Sequence, residues 1–372
     1  MKVAIVHEWL VNFAGSEKVL KEIIKLFPNA DLFCIIDYLS EESRKILTDK
    51  IPKTTFIQKL PFSKSKYQFY LPLMPLAIEQ IDLSQYDLIL SSSHAVAKGV
   101  ITGPRQLHIS YVHSPIRYAW DLQHQYLKES NLRGLKGWAA RYLLHKIRIW
   151  DCQTANRVDY FIANSYFISD RIRKVYRRDS KVIYPPVDVG QFVASPKRKD
   201  YYLTVSRLVP YKRIDLIVEA FSKLPEKQLV VIGEGPEHKK LMSKATSNIK
   251  LLGYQSDDIV KKYLSEAQCF IYAAEEDFGI SPVEAQASGV PVIALGKGGT
   301  AETINDITCS SPTGVLYNEQ DTDDLVNAII KFEQSKDYIS AYDCIENAKR
   351  FSTEKFTSQF KKYVDERVHD FF

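Results

Sequence analysis

Short runs of β-branched, aromatic and aliphatic residues recur along the chain, separated by longer stretches in which apolar side chains return every three or four positions. In the first half the runs are VAIV at 3–6, DLFCII at 31–36, DLILSSS at 87–93, LHISYVH at 107–113, DYFIANS at 159–165 and KVIY at 181–184. A second series holds YYLTVSR at 201–207, QLVVIG at 228–233, IKLLG at 249–253, CFIYAA at 269–274 and VPVIAL at 290–295. Short runs bounded by turn residues read as strands and the longer period reads as helix, so the alternation predicts parallel sheets with helical crossovers. Between the two series stands Pro185-Pro186-Val187-Asp188, which cannot continue a helix and reads as a stiff linker. The expectation is therefore an α/β chain of two doubly wound, Rossmann-like domains, residues 1–185 and 186–355, with a cleft between them. The last amphipathic stretch, 353–368, repeats Phe356, Phe360 and Val364 at helical spacing with no strand after it, and its 356–372 part is expected to pack back on the first domain. In such sheets ligands bind beyond the carboxyl ends of the strands, which makes the residues just after each run the candidates for chemistry.

Length supports this division, since 372 residues fit two domains. The start MKVAIVHEWL has few apolar residues before His7 and Glu8 and lacks the pattern of a signal peptide, and no run approaches the roughly eighteen apolar residues of a membrane span. Five cysteines, at 34, 152, 269, 309 and 344, form no C-x-x-C pair, which points away from a disulfide framework or zinc site and towards a reducing cytoplasm. Charge is uneven: 27 basic against 17 acidic residues through Pro186 gives +10, and 23 against 28 gives −5 for the remainder. Much of the excess lies in 128–148, where Lys128, Arg133, Lys136, Arg141, Lys146 and Arg148 mix with Leu132, Leu135, Trp138 and Tyr142. Such a segment suits an anionic membrane surface or an acidic substrate; equally, it is a solvated helix face with its apolar side in a core. No nucleic-acid-binding motif accompanies the basic residues.

The densest candidate segment is EEDFGISPVEAQASGVPV at 275–292. Ser281-Pro282-Val283-Glu284 reads as a helix start, with Ser at the N-cap, Pro at the first helical position and Glu at the third. The amides of Gly279, Ile280 and Ser281 would then face an anion at the positive end of a helix. Glu284 fits a capping box, a role that does not exclude ligand binding, whereas Glu276 stands outside the helix beside Glu275 and Asp277, three acids that need solvent, cations or a ligand. Arg207 ends a run, and Lys212 and Arg213 precede a helical pattern, which fits phosphate binding or a surface ion pair. Gly15-Ser16 opens a helix either as a close-approach turn or as an ordinary Ser cap. His113 ends the run LHISYVH before Ser114-Pro115, and His94 follows Ser91-Ser92-Ser93; each reads as facing the mouth of the cleft or as an ordinary hydrogen-bonded loop histidine. The G-E-G at 233–235 lacks the third glycine of a dinucleotide fingerprint, so NAD binding is disfavoured, and no metalloprotease or serine-hydrolase motif is present.

Taken together these residues resemble a retaining glycosyltransferase of family 4 with the two-domain GT-B fold. The resemblance runs through Glu276 and Glu284 in an E-x7-E element, then A-S-G-V-P-V-I-A and G-G-T-A-E at 298–302, V-S-R-L-V-P-Y-K with Arg207 and Lys212, V-I-G-E-G-P-E, I-Y-P-P-V-D and A-N-S-x-F-I. It implies that Arg207 and Lys212 hold a donor diphosphate, Glu284 the ribose hydroxyls and Glu276 the transferred sugar, with His113 near its reacting face. The amides of Gly279, Ile280 and Ser281 would add to the leaving-group site, and Gly15 would approach it from the other domain. Two positions depart from the family pattern, Ala14-Gly15 in place of Gly-Gly and Asp277 in place of Gly. Y-V-H-S-P-I-R-Y-A-W-D at 111–121 is similar to mannosyltransferases that build bacterial O-antigen and other surface polysaccharides. That implies GDP-mannose, or a related GDP-deoxyhexose, as donor and a lipid-diphosphate-linked glycan as acceptor. No cofactor or metal is implied, because cations and helix amides can carry the leaving-group charge, and the 128–148 segment would rest peripherally on the inner membrane face. A UDP-sugar donor, a sugar-nucleotide epimerase, a nicotinamide oxidoreductase and a non-catalytic sugar-nucleotide-binding scaffold remain the competing readings.

Overall fold

The computed structural model describes residues 1–129 and 134–372. The chain forms two compact units, one of Met1–Pro185 with Phe356–Phe372 and the other of Pro186–Lys355. The first holds seven strands: β1 (Val3–His7), β2 (Asp31–Cys34), β3 (Lys53–Thr54), β4 (Leu88–Ser93), β5 (Leu107–Val112), β6 (Tyr160–Ala163) and β7 (Ser180–Val182). They pair in the order β3-β2-β1-β4-β5-β6-β7, every pair parallel. Because side chains alternate across a strand, Ala4, Val6 and Ile89 enter the core on one face while Ile5, Leu88 and Leu90 enter the core on the other. Burial on both faces is why these strands read as continuous apolar runs.

One of these cores is roofed by the helix Gly15–Leu26, through Val19, Leu20, Ile23 and Ile24, and by the long helix Thr353–Phe371, through Phe356, Phe360 and Val364. The Phe356 ring lies 5.9 Å from that of Tyr111, whose hydroxyl donates to the Ile183 carbonyl at 3.0 Å. Each buried phenylalanine contributes about 1.5–3 kcal/mol.

The second unit holds β8 (Tyr202–Val205), β9 (Leu229–Ile232), β10 (Ile249–Leu251), β11 (Cys269–Tyr272), β12 (Val292–Leu295) and β13 (Gly314–Tyr317), in the parallel order β10-β9-β8-β11-β12-β13. The strand order reverses between β8 and β11, as it does between β1 and β4 in the first unit. At such a switch point the two loops diverge beyond the strand ends and leave room for a ligand.

Two strands lie outside the predicted set. β3 is two exposed residues at the sheet edge, and β13 is a four-residue run whose neighbours carry no clear pattern. The G-E-G segment has a packing role. A Cβ at Gly233 would lie 1.9 Å from the Ser206 carbonyl oxygen and one at Gly235 would lie 2.3 Å from that of Leu208. The Ser206 amide bonds the Ile232 carbonyl at 3.0 Å, and the Leu208 amide bonds that of Glu234 at 2.8 Å. These glycines press the segment around Arg207 against the end of β9. Among the described residues no helix is long and apolar enough to cross a membrane.

Candidate active site

In the second unit the predicted residues gather at the switch point. Arg207 follows β8, exposed, with no side-chain hydrogen bond or ion pair among the described residues. Lys212 ends the short helix Pro210–Lys212, and its Nζ meets two groups from the β11 side, the Tyr272 hydroxyl at 3.1 Å and the Glu276 carboxylate. The Tyr272 hydroxyl donates to the other Glu276 oxygen at 2.5 Å. Burial, and then the Glu276 charge, push the Tyr272 hydroxyl well above its ordinary pKa, so it stays protonated as a donor. Of the three neighbouring acids, Glu276 thus pairs with Lys212 inside the site, and Glu275 is exposed.

The Glu276 loop is clamped by the glycines that follow β12. Glu276 bridges Gly298 in parallel fashion, and the Gly299 amide donates to the Glu276 carbonyl at 2.7 Å. The loop then enters the helix Ile280–Ala287, and here the sequence reading needs correction. The N-cap is Gly279, with φ 85° and no side-chain cap, so Ser281 is the second helical residue and Glu284 the fifth. The spacing suggested a capping box, but the left-handed conformation at Gly279 starts the helix two residues earlier. Glu284 is therefore not explained by capping; it lies one turn beyond Ile280 on the same helix face. The first amides of the helix, at Ile280 and Ser281, have no intrahelical partner and sit at its positive end. The helix is held from behind by buried amides: Asn347 Nδ2 donates to Gln286 Oε1 at 2.6 Å and to the Thr303 carbonyl at 2.7 Å.

The first unit places a second set of groups at and just beyond the carboxyl ends of β1, β4 and β5. His113 shares a 2.8 Å hydrogen bond with Ser92 Oγ, which lies 3.2 Å from His7 Nδ1, and His7 Nε2 lies 3.3 Å from Glu17 Oε1. Burial and then the neighbouring His94 and His7 hold the His113 pKa well below the ordinary histidine value, which leaves a neutral imidazole. Burial would raise Glu17, but the hydrogen bond and charge of His7 bring it down to about 2. His94 stacks edge-on with Trp9 at 4.7 Å and with His113 at 6.2 Å. Its loop is gripped by the fully buried Glu8, which accepts from the amides of His94, Ala95, Val96 and Ala97 at 2.7–3.0 Å. Burial would raise Glu8, yet the nearby His94 and these amides keep its pKa lowered, and the charge is retained.

Gly15 is the first residue of the helix Gly15–Leu26, capped at Ala14, so the Ser-cap alternative falls away; the Glu17 carboxylate accepts from the Ala14 amide at 2.9 Å. Arg207, Lys212, Glu276, Gly279, Ile280, Ser281 and Glu284 thus belong to one unit, and Gly15 and His113 to the other. Sequence reasoning missed Tyr272, His7, Glu8, Glu17 and Ser92. The one available signal was the pair His7-Glu8 directly after an apolar strand. Among the described residues no group of three or more His, Cys, Asp or Glu is arranged to hold a metal ion.

Of the basic segment, Leu132 and Arg133 lie outside the described residues. The helix Gly134–Thr154 buries Leu144 and Ile147 but leaves Leu135, Trp138 and Tyr142 exposed, 88%, 68% and 49%, among exposed Lys136, Arg141 and Lys146. Its apolar side is therefore not all in the core. Arg148 turns inward, donating to the Ala119 carbonyl at 2.7 Å.

The family described as Glycosyltransferase Family 4 matches residues 15–191, and that described as Glycosyl transferases group 1 matches residues 190–351. The D-inositol 3-phosphate glycosyltransferase of a Mycobacterium species is 26% identical over 203 residues, 48% of this chain and 45% of that one. The O-antigen chain mannosyltransferase of Salmonella typhimurium is 26% identical over 202 residues, 51% of this chain and 55% of that one. The chain thus spans about half the length of these curated relatives. A crystal structure of Anabaena HepE in complex with UDP and glucose superposes with a TM-score of 0.70 at 20% identity, covering 98% of this chain and 99% of that one. With both halves of the chain matched in sequence and both sheets matched in structure, the chain belongs to glycosyltransferase family 4 and has the two parallel-sheet α/β domains of the GT-B fold.

Proposed function

We propose that the protein is a retaining hexosyltransferase that moves mannose from GDP-mannose to a lipid-diphosphate-linked glycan during assembly of a bacterial surface polysaccharide. The observation that carries this reading is the joined Lys212–Glu276–Tyr272 cluster at the β8/β11 switch point, next to the uncommitted Arg207 and the start of the helix Ile280–Ala287. A sugar diphosphate has a polyhydroxylated ring on one side of its scissile bond and two phosphates on the other. A carboxylate hydrogen-bonded to a lysine offers an acceptor for the hydroxyls and a cation for the phosphates at one place. The second unit is accordingly the donor domain, with Glu284 assigned to the ribose hydroxyls. The amides of Gly279, Ile280 and Ser281, together with Gly15, are assigned to the leaving diphosphate.

The bond between the anomeric carbon and the diphosphate oxygen breaks, and charge grows on that oxygen. Arg207, Lys212 and the helix amides stabilise it, a role for which a preorganised donor is commonly worth about a hundredfold or more in rate. The acceptor hydroxyl forms the new bond on the face the diphosphate leaves, and its proton passes to the departing phosphate, so configuration is retained and no metal is required. The first unit is the acceptor domain, where neutral His113, oriented by Ser92, is assigned to the reacting face. The exposed Trp138 and its basic neighbours are assigned to contact with the cytoplasmic face of the membrane.

The relative named as a mannosyltransferase supports mannose as the transferred sugar, for which GDP-mannose is the proposed donor, whereas the Anabaena protein with UDP and glucose keeps a UDP-sugar as the alternative donor. The test is transfer from labelled GDP-mannose and UDP-glucose to extracted lipid-linked glycans in EDTA, with the product anomer read by NMR. α-Linked mannose made by the wild type and lost in Glu276→Gln supports the proposal. Transfer from UDP-glucose alone overturns the donor, and a β product overturns retention.

A further inference from the structure

Between Asp49 and Glu79 the chain carries five lysines and no acidic residue. Two of the lysines are occupied locally: Lys50 Nζ donates to the Pro28 and Ala30 carbonyls at 2.5 Å, and Lys53 lies 3.7 Å from Asp31. Lys59, Lys64 and Lys66 are exposed and form no ion pair among the described residues. Between and beside them stand Phe62, Phe69 and Leu76, exposed 72%, 75% and 52%. Lys66 Nζ hovers 5.5 Å from the Phe62 ring and 6.0 Å from that of Phe69.

These tips are held outward by a fixed inner side. Ile57, Met74, Ala77 and Ile78 lie in the core on one sheet face, and the Tyr70 hydroxyl donates to the Pro61 carbonyl at 2.6 Å. The same core takes Leu144 and Ile147 of the helix that exposes Trp138. The two aromatic and basic surfaces are thus layered on one face of one sheet. Tyr67 packs against Trp9 with ring centroids 5.4 Å apart, and Trp9 meets His94 at the end of β4. A lipid headgroup brought to this segment would arrive beside the strand ends assigned to the acceptor.

We infer that the segment 56–76 is a second docking element for an anionic lipid bilayer, inserting Phe62 and Phe69 and setting Lys59, Lys64 and Lys66 among the headgroup phosphates. The occupant follows from charge and polarity together. Apolar rings flanked by uncompensated lysines match an apolar interior beneath a negative surface. The inference rests on the reading that the acceptor is lipid-linked.

The test is co-sedimentation of the full chain with vesicles of phosphatidylcholine containing phosphatidylglycerol, and with phosphatidylcholine alone. The wild type is expected on the anionic vesicles only. Each surface lysine is worth about fivefold in partitioning, so Lys59→Glu/Lys64→Glu/Lys66→Glu is expected to lose at least about a hundredfold, with an unchanged unfolding temperature. Lys136→Glu/Arg141→Glu/Lys146→Glu is measured alongside. If that variant alone loses binding, the inference is overturned and the role of the Trp138 helix stands; if the segment 56–76 variant alone loses binding, the inference holds and the helix assignment falls. A wild type that ignores anionic vesicles, or binds neutral ones equally, overturns it. As a second measure, Phe69→Trp in a Trp138→Phe background is expected to be quenched by lipids brominated on their acyl chains, and absence of that quenching also overturns it.

Discussion

Gly298→Ala tests whether the glycines after β12 position Glu276. Gly298 has φ 75°, and an added Cβ would lie 2.4 Å from the Glu276 carbonyl oxygen, where ordinary contact begins at 3.4 Å, so about 1 Å must be found between two backbone segments. The left-handed conformation costs a side-chain-bearing residue about 1–2 kcal/mol, and crowding against backbone that has no rotamer to change costs about 1–3 kcal/mol more. The sum, about 2–5 kcal/mol, lowers the unfolding midpoint of a unit of this size by roughly 5–15 °C. Because the shifted residue is Glu276, whose carboxylate holds Lys212 and Tyr272, transfer is expected to fall by about a hundredfold, as a 1 Å misplacement commonly does. Gly190→Ala is the control: its Cβ would lie 3.8 Å from the nearest atom, a side-chain oxygen of Asp188, and its expected effect is within about 0.5 kcal/mol. Calorimetric melting and initial transfer rates of the two variants supply the comparison. A Gly298→Ala protein with wild-type midpoint and rate would refute the positioning argument.

Other consequences concern stability and the acceptor side. Lys98 and Asp151, 1% and 0% exposed and 2.8 Å apart, form a buried pair; Lys98→Met leaves the buried carboxylate with its Trp120 and Tyr176 hydrogen bonds but no cation, and is expected to cost about 3–5 kcal/mol in urea unfolding. His108 is fully buried, and burial first, then Lys98, lowers its pKa to about 4. An unfolded histidine takes its proton near pH 6.5, so stability is complete above that pH and is lost as pH falls towards 4, at up to about 1.4 kcal/mol per unit. His108→Gln should flatten this slope in melts between pH 7 and 4, and an unchanged slope would contradict the assignment. Ser92→Ala removes the 2.8 Å hydrogen bond that orients His113; transfer is expected to fall about tenfold with nucleotide affinity unchanged, whereas a change in nucleotide affinity alone would argue against an acceptor-side role.

Much of this architecture is legible in the chain because both sheets are buried on both faces, which writes several strands as apolar runs such as VAIV or CFIY. Even the residues after the runs pointed to Arg207, Lys212 and Glu276. What the pattern could not give were features decided by distant partners. Ser92 and His7 are 85 residues apart in sequence and meet only because β1 and β4 are neighbours. Tyr272 lies inside the apolar run CFIYAA; its ring is buried and only its hydroxyl reaches Glu276. The capping box at Ser281 failed for a local reason: Ser-Pro-x-Glu fits a helix start, but glycine two positions earlier adopts the left-handed conformation that starts it sooner.

Calorimetric titration of the wild type and Arg207→Ala with GDP, UDP and ADP in EDTA shows whether the β8/β11 switch point holds a nucleoside diphosphate through Arg207. GDP is expected to bind without metal and at least about tenfold more weakly in the variant, as follows from loss of a charge-assisted hydrogen bond. Binding of no nucleotide, or GDP binding unchanged by Arg207→Ala, would contradict it.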